Sequence, residues 1–206
     1  MSSRPLLVVG TTNRKKGLEL AKLLAPAGLE IRTLADFPNA AKIVEDGDTF
    51  AANAVLKATG QARHLGRWVA ADDSGLAVDW LRGAPGVLSA RYGGPEATDK
   101  ANNRRLLDAL AGVPLEQRTA QFVCHVAVAD PSGVVRAEIA ASCCGRITLE
   151  PHGGHGFGDD PVFEIVEYHR TFAQLGGLVK SCLSHRARAV RLLLPQLVAL
   201  LDTGAL

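Results

Sequence analysis

Long apolar runs, an excess of one charge and aromatic side chains are all scarce in this 206-residue chain. No run of 18 apolar residues occurs, so we expect no membrane-spanning helix. The 23 Lys and Arg residues against 21 Asp and Glu give a net charge of +2, and aromatic residues make up 5%. Nucleic-acid-binding domains usually carry a strong basic surplus, so we expect no nucleic-acid partner.

Cysteine is also scarce, with four residues and no Cys-x-x-Cys spacing. Cys143 and Cys144 are adjacent, and neighbouring cysteines do not easily bridge each other. We therefore expect four buried, reduced thiols rather than disulfides or zinc ligands. The segment Met1–Pro5 lacks the apolar core of an export signal, which favours a cytoplasmic protein.

Apolar residues and glycine are abundant, at 47% and 21 residues. This composition suits an α/β protein with many loop-to-helix junctions and a large core. The length fits one domain over residues 1–206, built as two closely packed lobes.

The first motif is a polar segment, Thr11–Lys16, between an apolar run at Pro5–Gly10 and a helical pattern. A buried strand, a polar turn and a helix in this order direct backbone N–H groups at an anion. A Walker A loop is absent. The alternative is an ordinary capped helix with solvated lysines, and the local pattern favours neither interpretation.

An acidic segment, Glu45–Thr49, precedes a second helix predicted from Phe50 to about His64. Asp48 or Thr49 can cap this helix, whereas Glu45 is not needed for capping and is a candidate metal ligand. Lys57 lies in the middle of the helix, as either a surface residue or a phosphate contact.

The stretch Trp68–Asp79 contains two adjacent carboxylates, Asp72 and Asp73, followed by Ser74 and Gly75. The Ser-Gly pair predicts a strand, a tight turn and a second strand. Adjacent strand residues point to opposite faces, so the two carboxylates should do different jobs. A plain solvated turn is the alternative, because all four residue types form turns.

Further along, Thr98 is expected to cap a helix that ends at Leu110. Two alternating stretches, Thr119–Ala129 and Val134–Cys144, are separated by a turn-rich segment and predict a β-hairpin. A hairpin cannot belong to a purely parallel sheet, so a mixed sheet is expected.

Two segments near the end of the chain complete the set. Pro151–Pro161 contains four glycines around Phe157, which predicts a flexible loop with an exposed aromatic suited to a planar base; a plain surface loop is the alternative. Ser184 is a good N-cap for the last helix, which places His185 and Arg186 in its first turn.

In this order, the motifs resemble those of the inosine triphosphate pyrophosphatase (Ham1) family. The resemblance covers roughly residues 5 to 200 and rests on Thr11, Asn13, Lys16, Glu19, Glu45, Gly47, Thr49, Phe50, Asn53, Lys57, Ala71–Leu76, Gly83–Gly86, Ser89–Tyr92, Gly156–Gly158, Asp160, Pro161, Lys180 and Ser184–Arg186.

The resemblance implies a long, twisted mixed sheet flanked by helices, in two lobes with the active cleft between them. It implies a cytoplasmic homodimer that hydrolyses ITP, dITP and XTP to the monophosphate and pyrophosphate, with Mg²⁺ as cofactor. Glu45 and Asp73 would hold Mg²⁺, and Asp73 would accept the proton of the attacking water. The implied substrate-binding residues are Thr11, Thr12, Asn13, Arg14, Lys15, Lys16, Lys57, Ser74, Phe157, Gly158, Asp159, Asp160, Lys180, His185 and Arg186.

Three departures from the family pattern concern specificity. Asp159 stands where an aromatic is usual, Gln174 stands where many members have Glu, and Thr12 stands where Gly is common. A related pyrophosphatase acting on another modified or pyrimidine nucleotide is therefore an alternative. A second alternative is a non-catalytic nucleotide-binding or sensor module. The intact set of acidic residues disfavours it.

Overall fold

The structure is a computed structural model that describes residues 4–206. Its strands are β1 Leu6–Val9, β2 Glu30–Thr33, β3 Trp68–Val78, β4 Thr119–Ala129, β5 Val135–Ile147, β6 Phe163–Ile165 and β7 Arg170–Thr171. Its α-helices are α1 Arg14–Leu24, α2 Phe50–Leu65, α3 Asp99–Ala109, α4 Phe172–Leu183 and α5 His185–Asp202. No helix among residues 4–206 is long and apolar enough to cross a membrane.

Seven strands form one mixed sheet in the order β2-β1-β3-β4-β5-β6-β7. β1 pairs in parallel with both β2 and β3, whereas β6 pairs antiparallel with β5 and β7. β4 and β5 are joined through Asp130, whose N–H donates to the Val134 carbonyl at 3.0 Å. The predicted hairpin and mixed sheet are confirmed.

The chain divides into two compact units. The first comprises the described residues up to Asp73, with Cys124–Ala141 and Arg186–Leu206. In this unit β1 is buried on both faces, as expected for an inner parallel strand. Leu7 and Val9 pack in one apolar cluster with residues of α1 and α5, and Val8 packs in another with the alanines of α2.

The second unit comprises Ser74–Val123 and Ser142–His185. Its core joins leucines of α3 to an aromatic cluster formed by Phe122, Phe163 and Phe172. The ring centroids of Phe122 and Phe163 lie 4.4 Å apart, and those of Phe163 and Phe172 lie 5.7 Å apart. The predicted cleft between two lobes stays a prediction.

The predicted turn at Asp72–Gly75 is wrong, because β3 is one continuous strand of 11 residues through this stretch. Gly75 is not among the glycines with positive φ, so its backbone does not make the turn for which glycine is favoured. Pairing explains the difference: β3 lies between β1 and β4, and backbone hydrogen bonds to neighbouring strands override local turn propensity. Asp72 and Asp73 therefore lie within a buried strand.

Two smaller expectations also change. α2 begins after the predicted cap Thr49, whose side chain accepts a hydrogen bond from the Ala52 N–H, but its buried face includes polar residues. Asn53, Lys57 and Gln61 are buried there, so the interpretation of Lys57 as a surface residue is wrong. None of the four cysteines forms a disulfide, but only Cys124 and Cys143 are buried; Cys144 and Cys182 are exposed.

Candidate active site

The loop between β1 and α1 is ordered by its own side chains. The Asn13 carboxamide accepts a hydrogen bond from the Lys16 N–H at 3.1 Å and so caps α1. Thr11 is buried, and its hydroxyl accepts from the Asn13 N–H at 3.3 Å. The predicted strand, polar turn and helix are thus confirmed. Thr12, Arg14 and Lys15 are exposed.

Glu45, Lys57 and Asp73 form a compact charged cluster in the first unit. Lys57 Nζ lies 2.9 Å from Glu45 Oε2 and 2.8 Å from Asp73 Oδ1. Asn53 Nδ2 donates to the other Asp73 oxygen at 3.4 Å, while its Oδ1 accepts from the Gly47 N–H at 2.9 Å. Asn53 therefore ties the catalytic candidate Asp73 to the loop that carries Glu45.

Burial dominates the electrostatics of this cluster. It raises the pKa of the Asp73 carboxyl, and this effect outweighs the opposing charge of Lys57. Burial alone would lower the pKa of Lys57, but the negative charge of Asp73 and then that of Asp72 raise it. The ammonium is therefore charged at neutral pH, whereas the Asp73 carboxylate binds a proton more readily than an exposed Asp.

Asp72 lies in a different network. Arg186 donates from Nε to Asp72 Oδ2 at 3.2 Å and from Nη1 to Glu19 Oε2 at 2.9 Å. Arg186 is 2% exposed and Asp72 is fully buried. Burial would lower the pKa of Arg186, but Asp72 and Glu19 raise it. Burial lowers the pKa of Lys16, although the nearby charge of Asp72 opposes this.

The second unit brings together three residues predicted to recognise the base. Lys180 Nζ lies 2.6 Å from Asp160 Oδ2 and 4.1 Å from the centroid of the Phe157 ring. The same Asp160 oxygen accepts a hydrogen bond from the Phe157 N–H at 2.8 Å. Phe157 is half-buried beneath this ammonium, so the prediction of an exposed aromatic is wrong. A cation held over one ring face fixes the ring's orientation.

The remaining predicted residues occupy several environments. His185 is buried and stacks on Phe122, with ring centroids 4.8 Å apart. Ser184 is fully buried with extended backbone dihedrals at the position before α5, as an N-cap requires. Ser74 lies half-buried in β3, and Gly158 and Asp159 are half-buried in the loop after Phe157.

Sequence reasoning missed two residues of α3 that contact this loop. Asp99 Oδ2 accepts a hydrogen bond from the Gly158 N–H at 2.9 Å, and Asn103 Nδ2 donates to the Gly158 carbonyl at 3.1 Å. Their spacing of four residues on an amphipathic helix is the only sequence signal, and by itself it identifies no partner.

The carboxylates of Glu45 and Asp73 have the chemistry required for a hard cation. Residues 4–206 contain no cluster of three or more His, Cys, Asp or Glu side chains suited to a metal. Two converging carboxylates match Mg²⁺, which proteins usually hold through one or two carboxylates, with substrate phosphates completing its ligands. The residues present therefore fit Mg²⁺ better than a metal that requires a full protein ligand set.

Comparison with known proteins gives consistent matches over nearly the whole chain. A family model described as Ham1 family matches residues 7–196. A dITP/XTP pyrophosphatase of Rhodopirellula baltica is 52% identical over 199 residues, which cover 97% of this chain and 96% of that protein.

Solved structures agree in fold. A HAM1 protein from Coxiella burnetii superposes with a TM-score of 0.85 at 34% identity, covering 95% of this chain and 99% of that one. A nucleoside-triphosphatase, described as a dITP/XTP pyrophosphatase, from Mycobacterium abscessus gives a TM-score of 0.74 at 40% identity, covering 92% and 99%.

Proposed function

The chain belongs to the Ham1 family, and we propose that it hydrolyses non-canonical purine nucleoside triphosphates to the monophosphate and pyrophosphate. The proposed substrates are ITP, dITP and XTP, in line with the dITP/XTP pyrophosphatases that it resembles. The observation that carries the proposal is the pairing of Glu45 and Asp73 around the buried ammonium of Lys57. This cluster sets two carboxylates, which can hold a divalent cation or accept a proton, around one ammonium that can bind a phosphate oxygen.

We propose Mg²⁺ as the cofactor, held by Glu45 and Asp73. When bound, it would offset the negative charge of the triphosphate and lower the pKa of a coordinated water. Lys57 bridges these two carboxylates and offsets one of their two negative charges, and its ammonium can equally contact a phosphate oxygen. When the triphosphate and Mg²⁺ bind, the Lys57 ammonium could therefore pair with a phosphate oxygen while Mg²⁺ takes its place beside the two carboxylates.

Asp73 is the proposed general base. Burial raises its pKa, whereas a bound Mg²⁺ would favour the ionised carboxylate that can accept a proton. Asn53 and Lys57 hold both Asp73 oxygens and so limit rotation of the carboxylate. The proton of the attacking water passes to Asp73, and pyrophosphate leaves from the α-phosphorus.

The loop between β1 and α1, which ends at the N-cap residue Asn13, is the proposed binding site for the phosphate tail. The start of α1 has the positive end of the helix dipole, and Lys15 and Lys16 add charge there. Thr11 and Asn13 hold this loop in shape before the substrate binds. Pre-ordering of this kind reduces the entropic cost of binding.

The cluster of Phe157, Asp160 and Lys180 is the proposed base-recognition site, with His185 and Arg186 contributing as the family pattern implies. Phe157 would stack on the purine. The C6 keto oxygen of hypoxanthine or xanthine accepts hydrogen bonds, whereas adenine carries a donor there, so cationic donors favour the keto bases. Arg186 already binds Asp72 and Glu19 through two of its nitrogens, which fixes its guanidinium.

A pyrophosphatase with another nucleotide preference is the second candidate, favoured by Asp159 beside Gly158. A carboxylate there could accept a hydrogen bond from an exocyclic amino group, which adenine, guanine and cytosine carry. This candidate predicts faster turnover of a canonical or modified amino-bearing nucleotide than of ITP.

One assay tests the proposal and its alternative. Release of pyrophosphate is measured with Mg²⁺ for ITP, dITP, XTP, ATP, GTP, CTP and UTP, each with and without excess chelator. We expect ITP, dITP and XTP to be turned over much faster than the others, and only with the metal. Orthophosphate as the first product, or tight binding without turnover, would contradict the proposal.

We also propose a cytoplasmic homodimer, as the family pattern implies. Four cysteines without a disulfide are compatible with a reducing compartment. Light scattering coupled to size-exclusion chromatography would give about twice the 21.7 kDa mass of the chain if the dimer forms.

A further inference from the structure

Helix α3 binds the backbone of Gly158 in the Phe157 loop through two hydrogen bonds, one to each of the peptide groups that flank this residue. Asp99 accepts from the Gly158 N–H at 2.9 Å, and Asn103 donates to the Gly158 carbonyl at 3.1 Å. The two residues are four positions apart, so they share one face of α3, one turn from each other. We call Asp99, Asn103 and the Gly158 backbone that they bind the α3 clamp.

Gly158 lies at the point where the loop turns. Gly158 has φ +62°, a left-handed conformation that glycine adopts without strain. It directly follows Phe157, and the Asp160 carboxylate just beyond it binds both the Phe157 N–H and Lys180. Phe157 is therefore fixed on one side by Asp160 and Lys180, and on the other by the clamp.

Asn103 is a polar residue at a buried helix position, where an apolar side chain would pack without leaving a polar atom unpartnered. It is 6% exposed, and its Oδ1 atom has no hydrogen-bond partner among the described residues. Its neighbour Asn102 is equally buried but fully used, since it accepts from the Gly93 N–H and donates to the Ala90 carbonyl. A buried amide oxygen without a partner is destabilising, so the Gly158 contact is the interaction that Asn103 supplies.

The clamp also borders open space. Asn103, Phe157 and Gly158 line a cavity of about 820 Å³ in the second unit, together with Leu107, Leu149 and Pro161. The Gly158 backbone therefore lies at the edge of open space. Loss of the α3 clamp would remove hydrogen bonds that fix the backbone next to Phe157.

We propose that Asp99 and Asn103 are positioning residues that set the orientation of Phe157, and with it the discrimination between bases. This inference rests on the proposed function, because Phe157 is assigned there as the stacking residue. The clamp acts on binding of the base and not on the phosphate chemistry, so its loss should change KM and base preference more than kcat.

Two variants of Asn103 test the clamp. Asn103→Asp keeps the size but faces the Gly158 carbonyl with an acceptor, and Asn103→Leu removes the unpartnered oxygen together with the donor. Lys100→Gln is the matched control, because Lys100 is exposed on the same helix and lines the same cavity. Leu is well tolerated in a buried helix position, so at least this variant is expected to fold.

We expect both Asn103 variants to raise KM for ITP by about 3- to 10-fold, the range of one lost hydrogen bond. The value of kcat should stay within about twofold, and the ratio of kcat/KM for ITP over GTP should fall. Hydrogen exchange at the Phe157 and Gly158 amides should become faster in these variants, with no change in Lys100→Gln. A KM and exchange rates equal to those of the wild-type chain would overturn the inference.

The exchange measurement separates the two proposals. If the wild-type chain turns over none of the nucleotides, the proposed function fails, whereas faster exchange at Phe157 would still show that the clamp positions the ring. If turnover is normal and the variants lower kcat with KM unchanged, the clamp acts on the chemistry, and the positioning role is wrong.

Discussion

Asp72 and Asp73 are consecutive in β3, yet their carboxylates bind cations on different helices. Asp72 pairs with Arg186 of α5, and Asp73 pairs with Lys57 of α2. The alternation of side chains along a strand produces this division. Asp72 becomes part of a buried network with Arg186, whereas Asp73 shares the Lys57 ammonium with Glu45.

Replacement of Arg186 should therefore affect stability strongly. Arg186→Met leaves the buried Asp72 and the half-buried Glu19 without their common cation, which costs about 3–5 kcal/mol. Urea denaturation would measure the change in unfolding free energy, and Arg188→Met, an exposed site on the same helix, is the control. Adding Asp72→Asn to Arg186→Met should recover part of the loss, and a purely additive double variant would show that the two residues are not coupled.

Replacement of Lys57 should increase the stabilisation of the fold by Mg²⁺. In Lys57→Met, Glu45 and Asp73 lose the ammonium that joins them, so the variant is expected to be less stable than the wild-type chain by about 3 kcal/mol. Mg²⁺ can replace the lost charge, and the rise in melting temperature on adding Mg²⁺ should be larger in the variant.

Thermal unfolding with and without Mg²⁺ measures this effect. Lys22→Met, at an exposed position in α1, is the matched control and should respond as the wild-type chain does. An equal Mg²⁺-induced rise in Lys57→Met and Lys22→Met would argue that Glu45 and Asp73 do not hold the metal.

The local elements of the fold were predictable because their signals are local. Thr49 and Thr98 cap α2 and α3 as their residue types predicted, and each side chain accepts a hydrogen bond from an N–H three residues on. The hairpin at Asp130 follows from turn residues between two alternating runs.

The contacts that define the candidate site were not predictable from residue patterns alone. Arg186 and Asp72 are 114 residues apart, and Gly158 and Asp99 are 59 apart, so no periodicity connects them. The turn at Asp72–Gly75 was mispredicted for the same reason, since pairing within the sheet outweighed local propensity. The ordered family motifs identified Glu45, Lys57 and Asp73, but not that Lys57 joins the other two.

The Asp130 turn should give the fold a measurable dependence on pH. The Ser132 hydroxyl, followed by the Val134 N–H and Arg136, lowers the pKa of Asp130 to about 2. Because this pKa is below the unfolded value of about 3.9, the charged carboxylate stabilises the fold above that pH. This contribution is lost as pH falls towards about 2.

Asp130→Asn tests that sign directly. The variant should melt roughly 2–4 °C below the wild-type chain at pH 7. The gap should close as the pH is lowered from about 4 to about 2, since protonation makes the wild-type side chain neutral as well. Melting temperatures across this range would measure it, and a gap of constant size would show that charge is not its cause.

Asp73→Asn should remove activity while the fold is kept. Asn retains the size of Asp73 and an oxygen that accepts from Lys57, but it cannot take a proton from water. We expect kcat for ITP to fall by about 10²–10⁴, the usual contribution of a general base. The neighbouring Asp72→Asn should show the opposite pattern, with a larger loss of stability than of kcat, because Asp72 is bound to Arg186. Pyrophosphate release and urea denaturation on both variants would compare the two carboxylates, and near-normal turnover in Asp73→Asn would exclude Asp73 as the base.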